Sequence, residues 1–339
     1  MQSRLKVSVV ATVLNEEQSI GVLIESLLGQ TRPPDEIVLV DGGSRDATVA
    51  VIERYIAAGA SLRLLIVPGA NISVGRNRGI AAAKHDLIAV TDAGVRLELT
   101  WLERLIAPFV SSDGATVDVV SGFFRAAPTN TFELALGATT LPLVDEIDPR
   151  KFLPSSRSVA FRRGVWERVG GYPEWLDYGE DLVFDLALRA AGARFTFAPE
   201  AIAHFRPRPD LRAFFFQYYR YARGDGKADL WRRRHAIRYT SYTVGALALL
   251  LGIWYKGAWL ALLAASLAYL YQPYRRLWLL GRKWPCRNVL CAGLLVPVIR
   301  AVGDVAKMIG YPVGIWWRLN RGLASGDRAA RSGDRYRQL

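Results

Sequence analysis

Along the front of the chain, short uninterrupted apolar runs alternate with longer stretches in which apolar residues recur at three- and four-residue spacing. Residues 7–14 and 36–40 read as buried strands, and 17–28 as a helix with Ile20, Leu23, Ile24, Leu27 and Leu28 on one face, stopped by the breaker at 31–35. The same rhythm predicts a helix at 48–58, a strand at 63–67, a helix at 74–83, a strand at 87–91 and a helix at 97–110. Strand-like 117–126 and a less regular stretch through Pro142, Pro149 and Pro154 follow, and 159–205 reads as strand, helix, turn, helix, strand. Strands alternating with helices of this length predict an α/β fold, a mostly parallel sheet with helices on both faces. Three times an apolar run or turn delivers a carboxylate: Asp41, Asp92, and the pair Glu180 and Asp181. In open α/β sheets ligands bind outside the carboxyl ends of the strands, so such groups face a bound molecule. That suits a phosphorylated, metal-associated ligand.

Past His204 the pattern changes. Residues 211–223 are aromatic and basic, and two apolar runs, 239–255 and 258–271, are separated by Lys256 and Gly257. Each is near the lower limit of about 17 to 20 residues for crossing a bilayer, so a helical membrane hairpin is predicted. Basic clusters stand before the hairpin at 232–238 and after it at Arg275, Arg276, Arg282, Lys283 and Arg287. The positive-inside rule puts both hairpin ends on the cytoplasmic side with the front domain. A third apolar stretch, 289–317, is interrupted by Arg300, Asp304 and Lys307, which would share one helical face. If it crossed, the basic tail from Arg318 would lie outside, so an interfacial or re-entrant path is expected. The predicted organisation is 1–205 as the α/β domain (1–95 and 96–205), 206–238 as a basic interface segment, 239–272 as the hairpin, 273–320 as the third apolar region and 321–339 as a mobile basic tail.

Charge sharpens this division. The 339 residues carry a net charge of +13, and 206–339 hold 24 Lys and Arg against 6 Asp and Glu, leaving 20 against 25 in front. Arginines interleaved with bilayer-length apolar runs fit anionic lipid head groups and argue against nucleic acid. The two cysteines, Cys286 and Cys291, have no His or Cys partner at ligand spacing, so they are expected to be reduced and packed. The basic N-terminus leads straight into a strand pattern with no cleavage signature.

The order of five motifs, VVATVLNEE, VDGGSRDAT, SVGRNRGIAAA, TDAG and GGYPEWLDYGEDLVFDLALR, resembles glycosyltransferase family 2, the inverting GT-A enzymes, and particularly bacterial membrane-anchored members of the succinoglycan and exopolysaccharide type. QYYRYARG lies where relatives carry a Q-x-x-R-W-like element. The resemblance implies that Thr12, Leu14, Asn15, Glu16 and Asp41 hold the nucleotide base and ribose, with Gly43 and its neighbours allowing close backbone approach. It implies Arg76 and Asn77 near the diphosphate and Asp92 as the first acid of a D-x-D metal motif. Gly94 occupies the third position, so a divalent cation, Mg²⁺ or Mn²⁺, would have one carboxylate fewer. His204 is a candidate additional ligand. Asp181 matches the general base, Glu180 supports it or meets the acceptor, and Gln217, Arg220 and Tyr221 cap the acceptor or diphosphate channel. The partners so implied are a nucleotide-sugar donor, a lipid-linked or glycan acceptor and a membrane with anionic lipids. The implied location is a bacterial inner membrane, multi-pass, with the catalytic domain cytoplasmic.

Plain structural alternatives exist for single residues: capping for Asn15 and Glu16, a solvated helix end for Arg76, a strand-end histidine for His204, and an interfacial helix for Gln217, Arg220 and Tyr221. Acidic residues in a helix's first turn also complement its positive end, which would account for Glu180 and Asp181. Two competing functions are a non-catalytic membrane scaffold that retains the nucleotide site and a sugar nucleotidyltransferase. The second would be expected to carry a Gly-rich loop after the first strand, and ATVLNEE has none.

Overall fold

The computed structural model describes residues 5–110 and 117–325. The tail predicted at 321–339 falls outside them from residue 326 onward. The chain forms two compact units, Met1–Ala127 with Val144–Arg206, and Pro128–Leu143 with Pro207–Leu339.

In the first unit the strands are β1 (Val7–Val13), β2 (Glu36–Asp41), β3 (Leu62–Ile66), β4 (Leu87–Asp92), β5 (Val95–Leu97), β6 (Val119–Ala126), β7 (Val159–Arg162) and β8 (Phe195–Phe205). They make one sheet in the order β3-β2-β1-β4-β7-β6-β8-β5. The block from β3 to β4 is parallel, as predicted, and β7 joins it antiparallel on both sides. Helices α1 (Ile20–Leu28), α2 (Thr48–Ala57), α3 (Ile72–Ala82) and α4 (Trp101–Val110) belong to the same unit. In β1, Val7, Val9, Ala11 and Val13 enter one core with α1 and Trp101, while Val10 enters the other with Ile80 and Phe184. Both faces being buried explains why the strand sequence is nearly all apolar, Ser8 being satisfied by donating to Glu36. Burying each such Val, Leu or Ile contributes about 1.5–3 kcal/mol.

Two placements prepare the site. The strand register sets Val13 opposite Asp41 and Thr12 opposite Asp92, so both acids end level with the tip of β1. Helix α3 lies directly on that strand, because a Cβ at Gly75 would stand 2.8 Å from Thr12 Cγ2 and one at Gly79 2.5 Å from Val10 Cγ1. Larger residues there would lift the helix and Arg76 with it.

The second unit consists of α5 (Thr131–Thr140), α8 (Leu211–Lys227), α9 (Arg232–Leu251), α10 (Lys256–Leu280) and α11 (Cys286–Ser325), the intervening α6 (Arg163–Val169) and α7 (Glu180–Ala190) belonging to the first. The sequence reading kept all of 96–205 together. Instead 128–143 leaves the sheet, and Leu134, Leu136 and Ala138 of α5 pack with Phe214, Leu277 and Val296. Helices α8 and α11 meet backbone to backbone. A Cβ at Gly314 would stand 2.1 Å from the Arg223 carbonyl oxygen, and one at Gly310 2.2 Å from that of Tyr219. Small residues at such a crossing permit the close approach.

Among the described residues one helix, Cys286–Arg321, is long and apolar enough to cross a bilayer. By the same measure the apolar runs at 239–255 and 258–271 fall short, and 289–317 lies inside the helix that meets it. Helix α9 starts with basic residues, carries Tyr239 to Thr243 mid-length and ends at Leu251, and α10 turns polar from Gln272 to Arg276, which shortens both apolar runs. Arg300, Asp304 and Lys307 do face protein: Asp304, 5% exposed, accepts from Arg238 Nε at 2.9 Å and from the hydroxyls of Tyr242 and Tyr269. Arg300 lies over the Tyr269 ring and Lys307 over that of Tyr218. Cys286 and Cys291 are free as expected but exposed rather than packed.

Candidate functional site

The loops after β1 and β2 are stitched together before any ligand is considered. Asp41, 1% exposed, accepts from the backbone N–H groups of Gly43 at 2.8 Å and Ser44 at 2.9 Å, closing a tight turn in which Gly43 has φ +98°. Asn15 sits in the left-handed region at φ 54°, donates its N–H to Ser44 Oγ at 2.9 Å and accepts from Arg45 N–H at 2.9 Å. The Glu16 N–H donates to Thr48 Oγ1 at 2.7 Å. Left-handed backbone at a non-glycine residue is a cost that functional turns commonly carry. Leu14 is exposed beside them, and Thr12 is half-buried at the strand tip.

The centre of the site is Arg76, which is 2% exposed and therefore not a solvated helix end. Its guanidinium donates to Glu180 Oε1 at 2.6 Å and to Asp92 Oδ1 at 2.8 Å, and lies 5.2 Å from the centre of the Tyr172 ring. Burial opposes its charge, but the carboxylates of Asp92 and Glu180 outweigh that, so its pKa is raised. One cation thus ties the end of β4 to the start of α7, although Arg76 and Glu180 are 104 residues apart. Burial pushes the Glu180 carboxyl up to about 7, with Arg76 pulling the other way. Asp181, next in line, is half-buried, and its Oδ1 accepts from the Leu182 N–H at 2.8 Å. One turn on, Asp185 is buried, its Oδ2 has no hydrogen-bond partner, and burial raises its pKa well above the ordinary range.

Other expected residues are placed differently. The Asn77 amide donates to the Tyr172 carbonyl at 2.8 Å and Glu174 Oε1 at 3.0 Å, and accepts from Tyr172 N–H and Trp166 Nε1. All its hydrogen-bonding capacity holds the Gly170–Gly171 turn, so it acts on the site through that turn. His204 pairs through Nε2 with Glu98 Oε1 at 2.9 Å. Gln217, Arg220 and Tyr221 lie on α8 in the second unit, where Gln217 Nε2 donates to Tyr221 Oη at 3.0 Å. No group of three or more His, Cys, Asp or Glu suited to a metal occurs among the described residues. At the vacant third position of D-x-D, however, a Cβ on Gly94 would meet Glu16 Oε2 at 3.9 Å. Glu16 Oε2 already accepts from Ser19 Oγ, so Asp92 is the acid the motif leaves at this turn, and a hard cation fits only with phosphate oxygens completing its shell.

Sequence reasoning missed three groups here: Arg157, Glu98 and Asp185. Arg157 approaches the second oxygen of Asp92, with Nε at 3.8 Å from Oδ2. Its only sequence signal is a lone basic residue just before the apolar strand VAFR.

Strand tips, a buried arginine bridge and a carboxylate pair opening a helix now stand together in one unit. Residues 8–163 match the family described as Glycosyl transferase family 2, and residues 149–299 match Glycosyl transferase family group 2. The chain belongs to glycosyltransferase family 2. Among its family 2 relatives, Glycosyltransferase AglE of Haloferax volcanii is 28% identical over 209 residues, 60% of this chain and 67% of that protein. Succinoglycan biosynthesis protein ExoA of Rhizobium meliloti is 27% identical over 235 residues, 66% of this chain and 70% of that one. Other curated relatives are longer, this chain spanning 44% of one of them. The mannosyltransferase PcManGT from Pyrobaculum calidifontis, solved in complex with GDP-Man and Mn²⁺, shares the fold at 18% identity with a TM-score of 0.51, over 94% of this chain and 87% of that one. The GT-A architecture expected from the motifs is thus the one observed in the first unit.

Proposed function

We propose that this family 2 glycosyltransferase works with inversion. It moves a sugar from a nucleotide donor to a hydroxyl of a lipid-linked or polysaccharide acceptor, on the cytoplasmic side of a bacterial inner membrane. The observation that carries this reading is the Arg76 bridge, which fixes the Asp92 turn and the Glu180–Asp181 helix start on one guanidinium. Donor and acceptor chemistry then share one rim. Thr12, Leu14, Asn15, Glu16, Asp41 and Gly43 frame the base and ribose at the tips of β1 and β2. Arg76 and Asp92 define the diphosphate end, with Asn77 setting the adjoining turn.

Asp181 is the general base. Its Oδ1 is held by the Leu182 N–H, which orients the carboxylate and leaves the other oxygen to take the acceptor's proton. As that proton leaves, the acceptor oxygen bonds to the anomeric carbon and the bond to the diphosphate oxygen breaks. Glu180 positions Asp181 through the shared first turn of α7. Asp92 would hold a divalent cation, which would supply charge neutralisation for the departing diphosphate. The bound GDP-Man and Mn²⁺ of the mannosyltransferase PcManGT support this donor and cation class, and ExoA's succinoglycan role supports a polysaccharide acceptor.

Membrane attachment is supported by α11 and by exposed Leu260, Leu263, Leu267, Leu290, Leu294 and Trp316 on the second unit's helices. That apolar surface, with its Arg-rich flanks, suits anionic lipid and more than one crossing or embedded helix. The test is to incubate purified protein with a panel of labelled sugar nucleotides, with and without Mg²⁺ or Mn²⁺. Slow donor hydrolysis or transfer is expected with one nucleotide class. Binding without any turnover would indicate the scaffold that Gly94 otherwise suggests.

A further inference from the structure

Arg157 belongs to none of the motifs, yet its guanidinium reaches the Asp92 turn and is more accessible than that of Arg76. It lies just ahead of β7, and its backbone carbonyl accepts from Thr91 Oγ1 at 2.9 Å, which fastens its main chain to the end of β4. Its guanidinium NH1 donates to Ser155 Oγ at 3.0 Å and the group lies over two rings, 4.5 Å from Phe205 and 5.7 Å from Phe124. Stacking and a side-chain hydrogen bond hold the planar head in place, so little rotamer freedom remains to be lost on binding a ligand. The side chain is 24% exposed, against 2% for Arg76.

The two arginines divide the labour at Asp92. Arg76 already directs its two terminal nitrogens to the buried Glu180 at 2.6 Å and to the half-buried Asp92 at 2.8 Å, and turning to a phosphate would leave Glu180 buried and unpaired. Arg157 pairs with the other oxygen of Asp92 at 3.8 Å, a longer contact made by a head that solvent reaches. Where D-x-D would place a second acid, Gly94 adds no negative charge to repel an approaching anion.

We infer that Arg157 binds the donor's diphosphate directly, while Arg76 acts as the internal strut that sets Asp92. The inference rests on the proposed donor site. Its chemistry is charge-assisted hydrogen bonding from a stacked guanidinium to phosphate oxygens. The residue therefore reads diphosphate against bare nucleoside and contributes nothing to choosing the base.

The experiment measures calorimetric binding of UDP, GDP, ADP and CDP, and of the four corresponding nucleosides, to the full-length protein and to Arg157→Met and Arg157→Lys. The nucleoside diphosphate that the wild type prefers should bind Arg157→Met roughly 10- to 100-fold more weakly, as for loss of a hydrogen bond to a charged group. Affinity for its nucleoside and the thermal midpoint should stay unchanged, and Arg157→Lys should recover part of the loss. Equal diphosphate affinity in wild type and Arg157→Met overturns the inference and leaves the proposed function standing. So does an equal loss for the nucleoside, which would mark Arg157 as a packing residue for Phe205. A wild type that binds no nucleoside diphosphate overturns both.

Discussion

Each unit holds a buried charge at its centre among several partners, and the two arrangements are opposite in sign. In the first, the cation Arg76 is held by Asp92 and Glu180; in the second, the anion Asp304 is held by Arg238, Tyr242 and Tyr269. The partners of Arg76 sit at the ends of elements, beside the left-handed turns at Asn15, Gly43 and Gly179, and the Asp92 side chain remains 26% exposed. Those of Asp304 are side chains within α9 and α10, facing α11. A buried charge whose partners lie on loops can serve a ligand. One whose partners lie inside helices fixes how those helices pack.

That contrast can be broken from either end. The largest effect should come from Asp181→Asn, which leaves the Arg76 bridge whole: turnover in a donor-transfer assay should fall about 10²- to 10⁴-fold with donor binding nearly intact, and unchanged turnover would remove Asp181 as the base. Arg76→Met leaves the buried Glu180 without its cation and should destabilise the first unit by about 3–5 kcal/mol, read by denaturant unfolding. In the second unit, Gly314→Ala drives a Cβ against the Arg223 carbonyl and should cost about 1–3 kcal/mol, seen as a lower thermal midpoint in detergent. Asp304→Asn keeps the shape but removes the charge, and a loss of about 1–3 kcal/mol with transfer kinetics preserved would separate a packing role from a catalytic one.

The smallest effect concerns pH. Burial raises both Glu180, to about 7, and Asp185, so the folded state favours their protonated forms. Stability from these groups is complete below the ordinary carboxylate values and is lost as pH rises, for Glu180 between about 4.5 and about 7. Asp185→Asn should therefore lose less thermal stability than the wild type as pH rises from the ordinary carboxylate range toward neutrality. Parallel curves would show that Asp185 does not titrate in this range.

What could be read in advance follows the range of the forces. The parallel block was legible because β1, β2 and β4 are buried on both faces and so carry near-continuous apolar runs. The start of α3 was misjudged by two residues although Asn71, which caps it by accepting from Val74 N–H, offered a local signal. The antiparallel insertion of β7 and the three-residue β5 depend on pairings far along the chain and left no periodicity to follow. Within the site, the acids Asp41, Asp92, Glu180 and Asp181 announced themselves at strand and helix ends. The fate of Asn77 was decided by Tyr172, 95 residues away, and that of His204 by Glu98, 106 residues away. The spacing Gly310-x-x-x-Gly314 was visible as a helix-contact motif and passed unread beside the prolines of the same stretch.

The excursion of 128–143 has a practical side. Because α5 is encoded inside the catalytic half but completes the helical one, no single cut separates them. A gene truncated after Arg206 would still produce α5, with Leu134, Leu136 and Ala138 deprived of Phe214, Leu277 and Val296. Such a fragment would carry a sticky, uncovered helix and tend to self-associate. Isolating a soluble enzyme would mean replacing 128–143 with a short polar bridge as well as removing the C-terminal helices. During synthesis, likewise, α5 must wait for roughly the rest of the protein before its apolar side finds cover.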